Sequence, residues 1–134
     1  MTTIAERTLT TKRVVIGQIT VCRGCCCGAV SHGKAEVPVD WLKSEWRSRG
    51  LLKNIQLTIS CCLGPCDISN VLRISGSSME LWLGNIQRFD QYTGLVEWAS
   101  QCKAAGTLLP LPAEFHGLQF DPFRGQQKDQ IHAS

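Results

Sequence analysis

Val21 to Gly28 reads VCRGCCCG, and Ser60 to Cys66 reads SCCLGPC. Seven of the eight cysteines lie in these two segments, and each segment directly follows a β-forming run. The first run, Lys12 to Val21, carries Val14, Val15, Ile16, Ile19 and Val21, with Gly17 placed as a bulge would be. The second, Lys53 to Ser60, alternates Ile55, Leu57 and Ile59 with Asn54, Gln56, Thr58 and Ser60. Between them, Val39, Leu42 and Trp46 share one helical face, with Pro38 in the first turn and Gly50 at the end. Glu45 and Arg49 are spaced for an ion pair on that helix. A strand–helix–strand order makes the two strands parallel, joined by a right-handed crossover. Both cysteine segments then leave the C-terminal ends of parallel strands, at the rim where open α/β sheets hold ligands.

Further along, Val71 to Ser75 and Met79 to Leu83 read as a hairpin around Gly76, Ser77 and Ser78. Tyr92, Leu95, Val96, Ala99 and Cys102 follow at helical spacing, ending near Gly106. Residues 107–134 hold Pro110, Pro112 and Pro122 among Leu108, Leu109, Leu111, Phe115, Phe120 and Phe123. They read as an irregular tail that first packs back on the domain and frays after about Gly125. The expectation is a single α/β domain over residues 1–134, with its core at about 13–105 and flexible ends at 1–11 and 125–134. Its architecture is a βαβ unit, a β-hairpin and a C-terminal helix on a mixed four-stranded sheet.

Of the 134 residues, 43% are hydrophobic and 19% charged, as in a globular domain, and the net charge of +3 is mild. Lys and Arg are scattered rather than striped, which argues against a nucleic-acid partner. No apolar run is long enough to span a bilayer, and the N-terminus lacks the pattern of a secretory signal. The expected location is therefore the reducing cytoplasm. There, clustered cysteines bind metal or do redox chemistry more often than they form structural disulfides.

Cys22 and Cys27 form C-x4-C, and after 34 residues Cys62 and Cys66 form C-x3-C. Four thiolates from two loops satisfy either tetrahedral zinc or two irons bridged by sulfides. Adjacent glycines let backbone N–H groups approach the sulfurs and stabilise added negative charge. Cys25, Cys26 and Cys61 stand beside the proposed ligands, and each could replace a neighbour. Cys22 and Cys25 also spell C-x-x-C, the spacing of a thiol–disulfide oxidoreductase. No helix start follows that motif directly to lower a thiol pKa, and a dithiol would leave Cys62 and Cys66 unexplained. Three readings stay open on the residues alone: an iron–sulfur electron carrier, a zinc-stabilised interaction module, and a dithiol oxidoreductase.

The sequence resembles the thioredoxin-like 2Fe–2S ferredoxins, whose fold also serves a small subunit of bacterial NADH:quinone oxidoreductase. The resemblance runs over about residues 13–105. It is carried by VCRGCCCG at Val21 to Gly28, CLGPC at Cys62 to Cys66, SNV at Ser69 to Val71, and WLG at Trp82 to Gly84. It implies a thioredoxin-like fold and a 2Fe–2S cluster on Cys22, Cys27, Cys62 and Cys66. It also implies one-electron transfer to a redox partner protein, a reductase or an acceptor enzyme, with no bond-making on a substrate. Some relatives are associated with cobalamin synthesis or cobalt handling, and relatives of this fold pair as homodimers. Many ferredoxins are acidic; here a diferric cluster on four thiolates would lower +3 to about +1. The resemblance thus implies a docking partner unlike the usual basic one.

No phosphate-binding loop, nucleophile elbow or zinc-protease motif is present, so no catalytic residue and no enzyme is expected. His32 reads as a loop histidine, Asp67 as a turn former and Arg23 as solvated surface. Trp82 and Trp98 read as packing, and Cys102 as a small buried hydrophobe.

Overall fold

A computed structural model describes residues 9, 14–23, 27–61, 63, 68–77 and 79–123, with residue 32 described in its backbone only. The described chain forms strand β1 (Gly17–Cys22), helix α1 (Val39–Ser48), strands β2 (Ile55–Ser60), β3 (Leu72–Gly76) and β4 (Glu80–Leu83), helix α2 (Phe89–Ala105) and strand β5 (Gln119–Phe120). The sheet order is β2-β1-β3-β4-β5. β1 and β2 are parallel, with Cys22 opposite Ser60, while β3 runs antiparallel to both β1 and β4. A parallel βαβ pair extended by an antiparallel hairpin and a final helix is the thioredoxin-like arrangement expected from the sequence.

Three expectations about the sheet need correction. The mixed sheet has five strands, not four, because the supposedly irregular tail returns as β5, pairing Phe120 with Trp82 and Gln119 with Leu83. Two residues between proline-rich and turn segments carry too short an alternation to read as a strand. The first strand begins at Gly17, several residues later than Lys12. β2 starts at Ile55, so the described residues 14–16 lie outside the ladder, and Ile16 N–H to Asn54 O (2.7 Å) and Asn54 Nδ2 to Val14 O (3.1 Å) hold them. Gly17 is not a bulge: it pairs in register with Ile55 and Gly76, and a Cβ there would lie 2.9 Å from Leu108 Cδ1.

Alternation along the strands sorts the two faces of the sheet. Ile19, Val21, Ile55, Leu72, Ile74 and Leu83 are buried, in one core with Leu42 and Trp46 of α1 and Leu95, Val96 and Trp98 of α2. Each such side chain contributes about 1.5–3 kcal/mol of burial. Both helices cover that face. Arg49 ties them together, meeting Glu45 at 3.2 Å, as the sequence predicts, and also Glu97 at 3.0 Å and Ser100 at 3.1 Å. Burial continues beyond residue 105 to Leu111 and Phe115. On the opposite face Gln56, Thr58 and Glu80 are exposed, and Gln18 donates to Thr58 across the strands at 2.7 Å.

α1 follows Pro38, which is its N-cap rather than a first-turn residue. α2 starts three residues before Tyr92, at Phe89. Its first turn, Phe89, Asp90 and Gln91, shows no apolar period. It is fixed by Gln91, whose Oε1 accepts the backbone N–H groups of Gln87 and Arg88 at 2.9 Å each. Gly106, left-handed at φ 77°, closes α2 as expected.

Candidate metal centre

Cys22 is the last residue of β1 and has the same strand parity as Gln18 and Thr20, so it belongs to the face away from the helices. It is nevertheless buried, as is Cys27. The two share a small apolar cluster with Val71, against which Leu63, Ile68, Trp82 and Phe120 pack. β5 matters here, because Phe120 meets Trp82 edge-on at 6.0 Å and Arg73 lies 5.6 Å over the Trp82 ring. Trp82 is therefore packing, as expected, and the surface it packs on is the cysteine cluster. Trp98 is packing too, buried with its Nε1 donating to Pro110 O at 3.1 Å.

The two cysteine segments meet. The Cys22 thiol donates to Cys61 O at 3.3 Å, Arg23 N–H donates to Ser60 O at 2.8 Å, and Cys22 N–H donates to Val71 O at 3.1 Å. Of the second segment, Cys61 and Leu63 lie against the first, and Ile68 and Val71, which follow that segment in the chain, pack on the same cluster. This follows from the parallel β1–β2 register, which puts Cys22 level with Ser60.

Of the predicted ligands, Cys22 and Cys27 are brought together, while Cys62 and Cys66 lie outside the described residues. Of the proposed substitutes, Cys25 and Cys26 also lie outside them, and Cys61 is exposed. Asp67 is likewise outside, and nothing is described of the His32 side chain. Among the described residues no group of three His, Cys, Asp or Glu side chains is gathered. The donors that are described suit a thiophilic centre in kind. They are soft sulfurs at an apolar wall, beside a turn whose Gly28 is left-handed at φ 75°. Cys102 stands apart, buried on α2, where burial pushes its thiol pKa up and Leu109 N–H donates to its sulfur at 3.3 Å.

Sequence reasoning missed two residues beside the cysteines. Asn70 is buried beside the first segment; its Oδ1 accepts Gly28 N–H at 2.7 Å, and its Nδ2 donates to Ala35 O at 2.7 Å. Tyr92 is buried on α2 with its hydroxyl at the Asn70 side chain; burial pushes the phenol pKa up, the nearby Cys27 and Cys22 adding to the rise. SNV was legible only as part of a resemblance, and Tyr92 only as one point on an apolar stripe. A polar pair, Ser69–Asn70, entering a strand between two buried runs was the available signal.

No family model matches the chain, and no curated protein matches it. Among solved structures, it is similar to the wild-type thioredoxin-like 2Fe–2S ferredoxin from Aquifex aeolicus, at 13% identity and a TM-score of 0.49, over 81% of this chain and 99% of that one. The fold assignment rests on strand order and register rather than on this likeness. No helix among the described residues is long and apolar enough to cross a membrane.

Proposed function

We propose that this chain is a one-electron carrier that holds a 2Fe–2S cluster on Cys22, Cys27, Cys62 and Cys66. The observation that carries the reading is the meeting of the two cysteine segments at one sheet rim. There Cys22 and Cys27 are buried together and the Cys22 thiol touches Cys61 O at 3.3 Å. A bound cluster supplies one reversible electron. The protein's part is to hold the sulfurs and to exclude water with Val71, Trp82 and Phe120. In this reading the thiolates hold the cluster and make no bond to a substrate, and the partner is another redox protein, a reductase or an acceptor enzyme.

Anaerobic purification tests the reading. The carrier is red-brown and yields about two irons and two acid-labile sulfides per chain. Cys22→Ala, Cys27→Ala, Cys62→Ala and Cys66→Ala each bleach it, whereas Cys102→Ala does not. Bleaching by Cys26→Ala but not by Cys27→Ala would replace one ligand and keep the cluster. A colourless chain with one zinc would establish the interaction module instead. A metal-free chain with a reversible disulfide would establish the dithiol enzyme.

A further inference from the structure

The first cysteine segment leaves β1 after Cys22, and from Gly28 to Ala35 two side-chain amides fasten it. Asn70 accepts from Gly28 N–H and donates to Ala35 O, both at 2.7 Å. Gln87 accepts from Ala35 N–H at 2.8 Å and donates to Ser69 O at 2.6 Å. Both backbone groups of Ala35 are therefore held by side chains from the far side of the second cysteine segment. Asn70 itself is fixed on its other sides: its carbonyl accepts Ile86 N–H at 3.0 Å, and the Tyr92 hydroxyl meets its amide from α2. The amide orientation is determined, since reversing it would set a donor against Gly28 N–H and an acceptor against Ala35 O.

We propose that Asn70, braced by Tyr92, is a positioning residue. It clamps the turn after Cys27 and keeps that thiol gathered with Cys22 whether or not a metal is bound. The inference deepens the proposed function, because a loop ordered during folding need not be ordered again when the ligand arrives. It also concerns the metal-free chain, so it can be decided separately.

The test is cysteine-by-cysteine alkylation of the reduced, metal-free chain with iodoacetamide, followed by mass spectrometry. In Asn70→Ala, Cys27 reacts about tenfold faster or more, the scale set by losing the bonds to Gly28 N–H and Ala35 O. Cys102, buried in the main core, keeps its wild-type rate. Asn70→Asp retains an acceptor for Gly28 N–H but sets a carboxylate oxygen against Ala35 O, so it recovers only part of the Cys27 protection. Tyr92→Phe raises the Cys27 rate by about threefold and adds nothing in an Asn70→Ala background. In loaded protein, Asn70→Ala loses iron to a chelator about tenfold to a hundredfold faster and shifts the electron-paramagnetic g-values of the reduced form. An unchanged Cys27 rate in Asn70→Ala overturns the inference. So does an equal rise at Cys27 and Cys102, which would mark Asn70 as a general stabiliser. Should Asn70→Ala fail to fold, Tyr92→Phe decides alone, and no change at Cys27 overturns the inference. A wild-type chain that takes up no iron and sulfide defeats the electron-carrier reading, while the alkylation result still decides this one.

Discussion

Gly28 is the residue on which the geometry beside Cys27 can be tested by stability alone. It is left-handed at φ 75°, and a Cβ built there would lie 3.2 Å from Val37 Cγ2. Gly33 is left-handed at φ 79°, with nothing within 4 Å of a built Cβ. The two glycines carry the same backbone demand and differ in their surroundings. A left-handed non-glycine residue costs about 1–2 kcal/mol. Gly→Ala returns about 0.4–1 kcal/mol by stiffening the unfolded chain. Gly33→Ala should therefore lose close to 1 kcal/mol. Gly28→Ala adds the crowding of Val37, a buried side chain with little room to yield, for about 1 kcal/mol more. For a domain of this size each kcal/mol lowers Tm by about 3–5 °C. Thermal melts of the reduced, metal-free chain should show Gly28→Ala lower by about 6–10 °C and Gly33→Ala by about half that. Equal losses at the two positions would refute the Val37 contact. No loss at Gly28 would refute the left-handed turn, and with it the way Cys27 is presented to Cys22.

Trp46→Phe removes the Nε1 donor that meets Ile55 O at 2.8 Å inside the core, at the very start of β2. Urea unfolding should give a loss of about 2–4 kcal/mol, combining an unmet carbonyl with the smaller ring; less than 1 kcal/mol would contradict the bond. Cys102 is held protonated by burial, so its folded pKa lies above the unfolded value of about 8.5. Its contribution is complete below that pH and is lost as pH rises toward the folded pKa. The stability difference between wild type and Cys102→Ala should accordingly shrink from pH 8 to pH 10, and a difference that stays constant would sink the account. Arg49→Ala cuts the link from α1 to Glu97 and Ser100, yet the guanidinium is partly exposed, at 31% of its side-chain surface. The expected loss is under about 1 kcal/mol and smaller still in 1 M salt; a loss of 3 kcal/mol would mean the pair is far better shielded than its exposure says.

The layout of the fold was legible because its main signals are local and repeated. Ile55, Leu57 and Ile59 alternate, Leu42 and Trp46 share a helical face, and a crossover between two strands leaves one hand and one relative direction. The errors fall where structure depends on a distant partner. Val14 and Val15 have β propensity, but β2 starts too late to pair with them. Phe120 has no strand-like neighbourhood, but Trp82 offers it an open edge. Propensity describes what a segment accepts, and the ladder forms only where another strand is present to complete it.

The same division explains the site. That two cysteine segments converge could be read from chain direction alone, since parallel strands deliver their C-terminal ends to one rim. How the convergence is held could not be read this way. Asn70 and Gln87 reach Gly28 and Ala35 across 42 and 52 residues of sequence, and no spacing rule links an amide to a backbone group at such a distance. Yet accounting for backbone groups leads there. A loop rich in glycine and cysteine has few side chains able to satisfy its own buried N–H and C=O groups. Those groups must then be met from outside, and Asn and Gln are the uncharged side chains that supply a donor and an acceptor together. A loop rich in glycine and cysteine should therefore be accompanied by carboxamides on the flanking segments, here Asn70 at the entry to β3 and Gln87 just before α2.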